Sequence, residues 1–227
     1  MKFTTIENDR VLKIKSLLIG NIDQEVDELK KMISEFNFSK SEISKILNTL
    51  KFALAQTYGE NPINKYYVNH PIRVAKLSLM WLDLIKEKNF DLIILALIHN
   101  ALEKNIIPLE TLRSEYSQWV YNSIITLTVN RSKENDPGYI KQYYYKLQKT
   151  DKYTQMLKVF DKLDNIYSLC LNPDDEIRSK YLQEIRDYIV PIINQHANIL
   201  SGYFNELINS KKTSQHKSMD SWLVELQ

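Results

Sequence analysis

The sequence predicts an all-α fold, a single compact multi-helix body, and three observations carry that expectation. The chain of 227 residues contains only 4 Gly and 6 Pro, too few for the frequent turns of sandwiches and barrels. Apolar residues recur every three or four positions through most of its length, the period of a helix with one buried side. A hydrophobic content of 44% beside 26% charged residues is that of an ordinary globular chain with enough apolar surface for one core.

Taken in order, Leu12, Ile14, Leu17, Leu18, Ile22, Val26, Leu29, Ile33 and Phe36 predict one or two helices between Val11 and Phe36. Ser39 and Ser41 can cap the next, whose apolar side includes Ile43, Ile46, Leu47, Leu50 and Leu54 and which is expected to end near Gly59. A loop from Gly59 to Tyr67 holds Pro62. Pro71 fits an early helix position, where its missing amide would be unpaired, and places His70 at the mouth of a helix continuing through Val74, Leu77 and Trp81. Asp91 to Glu103 is apolar around most of its circumference and predicts a central helix.

Pro108 begins a segment through Leu112, Tyr116, Val120 and Ile124, and the polar stretch Asn130 to Gly138 breaks it as a candidate flap. Tyr139 to Gln148 and Tyr153 to Leu171 predict two further helices. Pro173 and Asp174 open another, which Pro191 kinks or divides before Leu207. The last residues, from Lys211, are polar until Trp222, Leu223, Val224 and Leu226, and read either as a fraying end or as a short docking segment. The expected layout is N-terminal helices over 1–50 packing on the core, a main body over 51–210 and a polar tail over 211–227.

Composition excludes some functions. A formal charge of +2, with no basic stripe interleaved with stacking aromatics, gives no nucleic-acid footprint. The longest apolar runs, such as Leu92 to Ile98, are too short to span a bilayer, and no signal-peptide pattern opens the chain. The reading is a soluble cytoplasmic protein without a membrane partner. The single Cys170 has no disulfide partner in the chain and reads as a small buried hydrophobe.

Chemistry concentrates in three patches: His70 with Pro71, the run His99 to Lys104, and the run Lys158 to Asn165 containing Asp161. On a helix, His99 and Glu103 share a face, as do Asn100 with Lys104 and Asp161 with Asn165. Two imidazoles and a carboxylate suit a first-row divalent ion, which acidifies a bound water and neutralises phosphate charge; the alternative is histidines satisfied within a core. His196 and His216 fall outside the pattern and read as ordinary surface or packing residues.

The order and wording of these patches resemble the HD-domain hydrolases of the RelA/SpoT type and their small stand-alone relatives. Tyr67-Val68-Asn69-His70-Pro71 with Val74-Ala75 is similar to the family's Tyr-Ile-x-His-Pro-x-x-Val-Ala. Ala96-Leu97-Ile98-His99-Asn100 with Glu103-Lys104 resembles Ala-Leu-Leu-His-Asp followed by Glu-Asp. Thr126-Leu127-Thr128 resembles the Val-Thr segment, and Lys158 through Asn165 resembles Lys-Leu-Ala-Asp-Lys/Arg-Leu-x-Asn. The likeness runs from about Phe52 to Pro191.

The resemblance implies an all-α HD-domain fold and a manganese-dependent hydrolase that removes the 3′-pyrophosphate from guanosine tetra- and pentaphosphate. It implies His70, His99, Asn100 and Asp161 as ligands of a divalent metal, most simply Mn2+, with Glu103 and Lys104 at the catalytic positions. Asn165, Lys158, Tyr58 and Lys65 are the implied contacts to a purine nucleotide. Two residues depart from the family. Asn100 stands where it has Asp, so an amide oxygen replaces an anion. Lys104 stands where it has a second acid, which sets an ammonium near the ion or near substrate phosphate. Those changes motivate a second expectation, a catalytically inactive HD-domain pseudoenzyme that binds a nucleotide or a protein; a homo-oligomer or another protein stays open as a partner.

Overall fold

A computed structural model describes residues 5–20, 22–55 and 69–226. They form helices and connecting turns, with no strand among the described residues. The chain divides into two compact units, one of Ile22–Leu157 and one of Met1–Asn21 with Lys158–Gln227.

The first of these is organised on α5 (Phe90–Ile98), where every residue from Leu92 to Ile98 is buried. Around it pack α3 (Lys40–Leu54), α4 (Asn69–Ile85) and α7 (Gln118–Leu127), and α2 (Ile22–Glu35) lies on α4. A helix apolar on all sides needs such neighbours, because any face turned to water would forgo the burial that drives folding. Ser39 starts α3 with a reciprocal capping box, its Oγ accepting from the Glu42 amide while the Glu42 carboxylate accepts from the Ser39 amide at 2.7 Å. α3 ends at Leu54, short of the expected Gly59, which lies outside the described residues together with the Gly59 to Tyr67 loop.

The segment after Pro108 forms two helices, α6 (Leu109–Glu115) and α7, because Ser117 accepts from the Val120 amide and caps a fresh start. Asn130 to Gly138 is built from a short 3-10 turn, Arg131–Lys133, and the Asp136 cap of α8 (Pro137–Leu147).

The second unit contains α1 (Ile6–Leu18), the later turns of α9 (Lys152–Tyr167), α10 (Asp175–Glu184), α11 (Val190–His196), α12 (Ser201–Asn209), α13 (Lys211–Ser214) and α14 (Met219–Glu225). The Val11 to Phe36 stretch is two helices, divided where Gly20 takes φ 61°, a left-handed conformation that closes α1. Pro191 does not end its helix. The turn Ile185–Ile189 widens to a π-helix, with the Val190 amide reaching the Ile185 carbonyl, which absorbs the amide and the space that proline denies an α-helix. The tail folds back: Trp222 is 2% exposed and packs with Ile14 and Cys170, and Lys217 lies 3.8 Å over its ring.

Candidate metal centre

His70 is the second residue of α4, followed by Pro71. The first amides of a helix have no intrahelical acceptor, so proline sits there without losing a bond. His99 follows Ile98, the last residue of α5, and both rings are 4% exposed. The His99 Nδ1 lies 2.7 Å from the Ala96 carbonyl oxygen. A carbonyl only accepts, so Nδ1 carries the proton and Nε2 presents its lone pair. That Nε2 is 3.3 Å from the Nε2 of His70, with the rings inclined at 64°.

Asp161 stands on α9, whose first turn is tied down by Asp151. The Asp151 side chain accepts the amides of Tyr153 at 2.9 Å and Thr154 at 3.2 Å, and also the Thr154 hydroxyl at 2.8 Å. Lys158 precedes Asp161 by one turn and Asn165 follows by one, so the three share a face. The Lys158 ammonium donates to one carboxylate oxygen at 2.9 Å and the Asn165 amide to the other at 3.0 Å, on a group 7% exposed. His70 and His99 in the first unit and Asp161 in the second are residues that could offer ligand atoms to a metal ion. Two imidazole nitrogens and one carboxylate oxygen are the donor set of a borderline divalent ion with positions to spare.

Beside Asp161, the Tyr181 hydroxyl is buried. Burial, then the carboxylates of Asp161 and Glu184, push its phenol well above the ordinary value. Lys162 lies 4.3 Å over the Tyr181 ring, and burial lowers its ammonium even with Glu184 at 2.7 Å.

The remaining expected residues are placed differently from a single helix face. α5 ends at Ile98, and His99 to Asn105 forms turns closed by bonds from the Ala101 amide to Ile98 and from the Ile106 amide to Ala101, with Asn105 at φ 53°. His99 and Glu103 thus lie in turns beyond α5, while one helical bond survives between the other expected pair, the Lys104 amide donating to the Asn100 carbonyl at 3.0 Å. The Glu103 side chain is 4% exposed and faces the 129–131 segment, accepting the Val129 amide at 2.8 Å and the Arg131 guanidinium at 2.7 Å. Asn100 is half-buried and Lys104 exposed. Tyr58 and Lys65 lie outside the described residues, as do Tyr67 and Val68. His216 binds the Cys170 carbonyl at 3.1 Å, far along the chain from the three patches. Sequence reasoning passed over Tyr181 and Arg131, for which no spacing or motif gave a signal.

The fold is similar to that of a solved metazoan ortholog of SpoT that hydrolyses ppGpp and plays a role in starvation responses. The likeness has a TM-score of 0.61 at 19% identity and covers 76% of this chain and 96% of that one. It shows the all-α HD-domain fold for this chain. No protein-family model matches the sequence, and no curated protein matches it significantly. No helix among the described residues is long and apolar enough to cross a membrane.

Proposed function

We propose that the chain is a metal-dependent phosphohydrolase that removes pyrophosphate from a purine nucleotide, in the manner of a guanosine 3′,5′-bispyrophosphate 3′-pyrophosphohydrolase. The observation that carries this reading is the pair of buried imidazoles, His70 and His99, whose Nε2 atoms lie 3.3 Å apart, with His99 held in the tautomer whose Nε2 can bind a cation. A divalent ion, manganese by the resemblance, would be held by these two with Asp161 and Asn100 as the further ligands of this reading. When bound, such an ion supplies a Lewis acid that acidifies water and offsets phosphate charge.

The chain's own residues supply the rest. Lys158 and Asn165 flank Asp161 and offer an ammonium and an amide to phosphate and nucleotide. Glu103, beside the histidine turn, is the general-base position of this reading, and Tyr58 and Lys65 are its nucleotide contacts. The test is purified protein with added manganese and guanosine tetraphosphate, followed by chromatography of the nucleotide. Release of pyrophosphate supports the reading, and intact nucleotide contradicts it.

A second reading is favoured by one contact: the Lys158 ammonium already sits 2.9 Å from the Asp161 carboxylate, where a cation would be wanted. With Asn100 neutral and Lys104 cationic, the scaffold would then bind a nucleotide or a protein without a metal. Under this reading guanosine tetraphosphate raises the melting temperature in chelator. Restoring acids with Asn100→Asp and Lys104→Asp together separates the two readings: a gain of bound metal and of hydrolysis over the natural chain marks a site disarmed by those residues.

A further inference from the structure

The direction of the Asp161 carboxylate depends on the rotation of α9 about its axis, since each residue advances about 100° around a helix. Two ion pairs act on that rotation from opposite flanks. Asp164, roughly 60° from Asp161 on one side, accepts from the ammonium of Lys13 on α1, with the two side chains 0% and 3% exposed. Lys162, roughly 100° away on the other side, reaches Glu184 of α10 at 2.7 Å. Further along the first flank, the Tyr167 and Tyr203 hydroxyls are bonded, and Tyr203 donates to Asp9 at 2.6 Å. Asp9 and Lys13 share a face of α1, so that helix meets α9 directly at Asp164 and, through Tyr203 of α12, at Tyr167.

A buried ion pair is a weak source of stability, because desolvation offsets the attraction, but it strongly penalises arrangements that separate its charges. Turning α9 would strand the Lys13 ammonium and the Asp164 carboxylate in the core. We infer that Lys13 is a positioning residue: through Asp164 it sets the rotation of α9, and thereby the aim of the Asp161 carboxylate. The role rests on the metal reading for its consequence, and on the buried pair alone for its mechanics.

The test replaces the pair by apolar residues of similar volume, Lys13→Met with Asp164→Leu, and reads three quantities against the natural chain. These are the melting temperature, manganese affinity by calorimetry, and amide exchange over residues 161–167. Positioning predicts a folded variant whose manganese affinity falls roughly tenfold or more, as when an outer partner of a metal ligand is lost. The swapped pair, Lys13→Asp with Asp164→Lys, should recover part of that loss. A folded apolar variant with unchanged manganese affinity overturns the inference and leaves the metal reading standing. If the natural chain takes no manganese, the metal reading fails, and exchange decides the inference: faster exchange confined to 161–167 supports it, unchanged exchange overturns it. Should the apolar pair not fold, Lys13→Gln, which keeps a donor towards Asp164 but removes the charge, is read by the same criteria.

Discussion

The Nε2 atoms of His70 and His99 lie 3.3 Å apart, and the second ring nitrogen of His99 is fixed by the Ala96 carbonyl at 2.7 Å. The backbone at the end of α5 therefore chooses the tautomer that leaves a lone pair facing the other imidazole. Replacing either ring by an amide, His70→Asn or His99→Asn, should lower manganese affinity by at least the roughly 10–100-fold seen when outer-shell partners are lost. Calorimetric titration of each variant checks this; affinity equal to that of the natural chain would remove both histidines from the site.

Glu103 joins two roles that substitution can separate. Its carboxylate accepts from the Val129 amide and from Arg131. Glu103→Gln keeps an acceptor for Val129, whereas Glu103→Ala orphans a part-buried amide at a cost of about 1–3 kcal/mol. Hydrogen exchange at Val129 should quicken in the alanine variant and stay near that of the natural chain in the glutamine variant. Turnover, where Glu103 serves as a base, should be lost in both.

A pH-dependent staple joins Glu87 to α9. Lys152 donates to it at 2.5 Å and Tyr153 at 2.6 Å, and these bonds, Lys152 first, hold its carboxyl below the ordinary 4.5. The same carboxylate pushes the Tyr153 phenol up to about 12. A depressed acid stabilises the fold above its unfolded value and loses that contribution as pH falls below it, so the Glu87 part fades below pH 4.5. A raised phenol contributes below 10 and fades as pH rises from 10 towards about 12. Glu87→Gln should flatten the acid limb of a melting-temperature profile and Tyr153→Phe the alkaline limb, each slightly, since solvent screens these half-exposed groups.

Trp222 closes the cluster of Ile14 and Cys170 at 2% exposure. Trp222→Ala empties the largest side chain of that cluster, and urea unfolding should register a loss of about 3–5 kcal/mol. A loss under about 0.5 kcal/mol, the range of surface changes, would show that the tail adds little to the fold.

Much of this arrangement was legible because its causes are local. Ser39 and Asp174 cap helices where their side chains promise it, and Pro191 marks a real break in regular winding. Lys158, Asp161 and Asn165 fall on one face by spacing alone. The end of α5 was not legible: His99 to Lys104 is acceptable helix sequence, and the chain leaves the helix because of turn bonds and the left-handed Asn105. Those turns send Glu103 to Val129 and Arg131, partners 26 and 28 residues away. The Lys13 and Asp164 pair joins residues 151 apart, and no periodicity reports a bond of that span. Local pattern thus reports caps, faces and breaks, while bonds of long span come from packing that no local pattern records.

The most direct measurement of the central claim is elemental analysis of the natural chain and of Asp161→Asn after equilibration with manganese and removal of free ion, with guanosine tetraphosphate turnover read on the same samples. A phosphohydrolase built on His70, His99 and Asp161 retains manganese in proportion to protein and releases pyrophosphate, and Asp161→Asn loses both. A natural chain that retains no metal and leaves the nucleotide intact contradicts it.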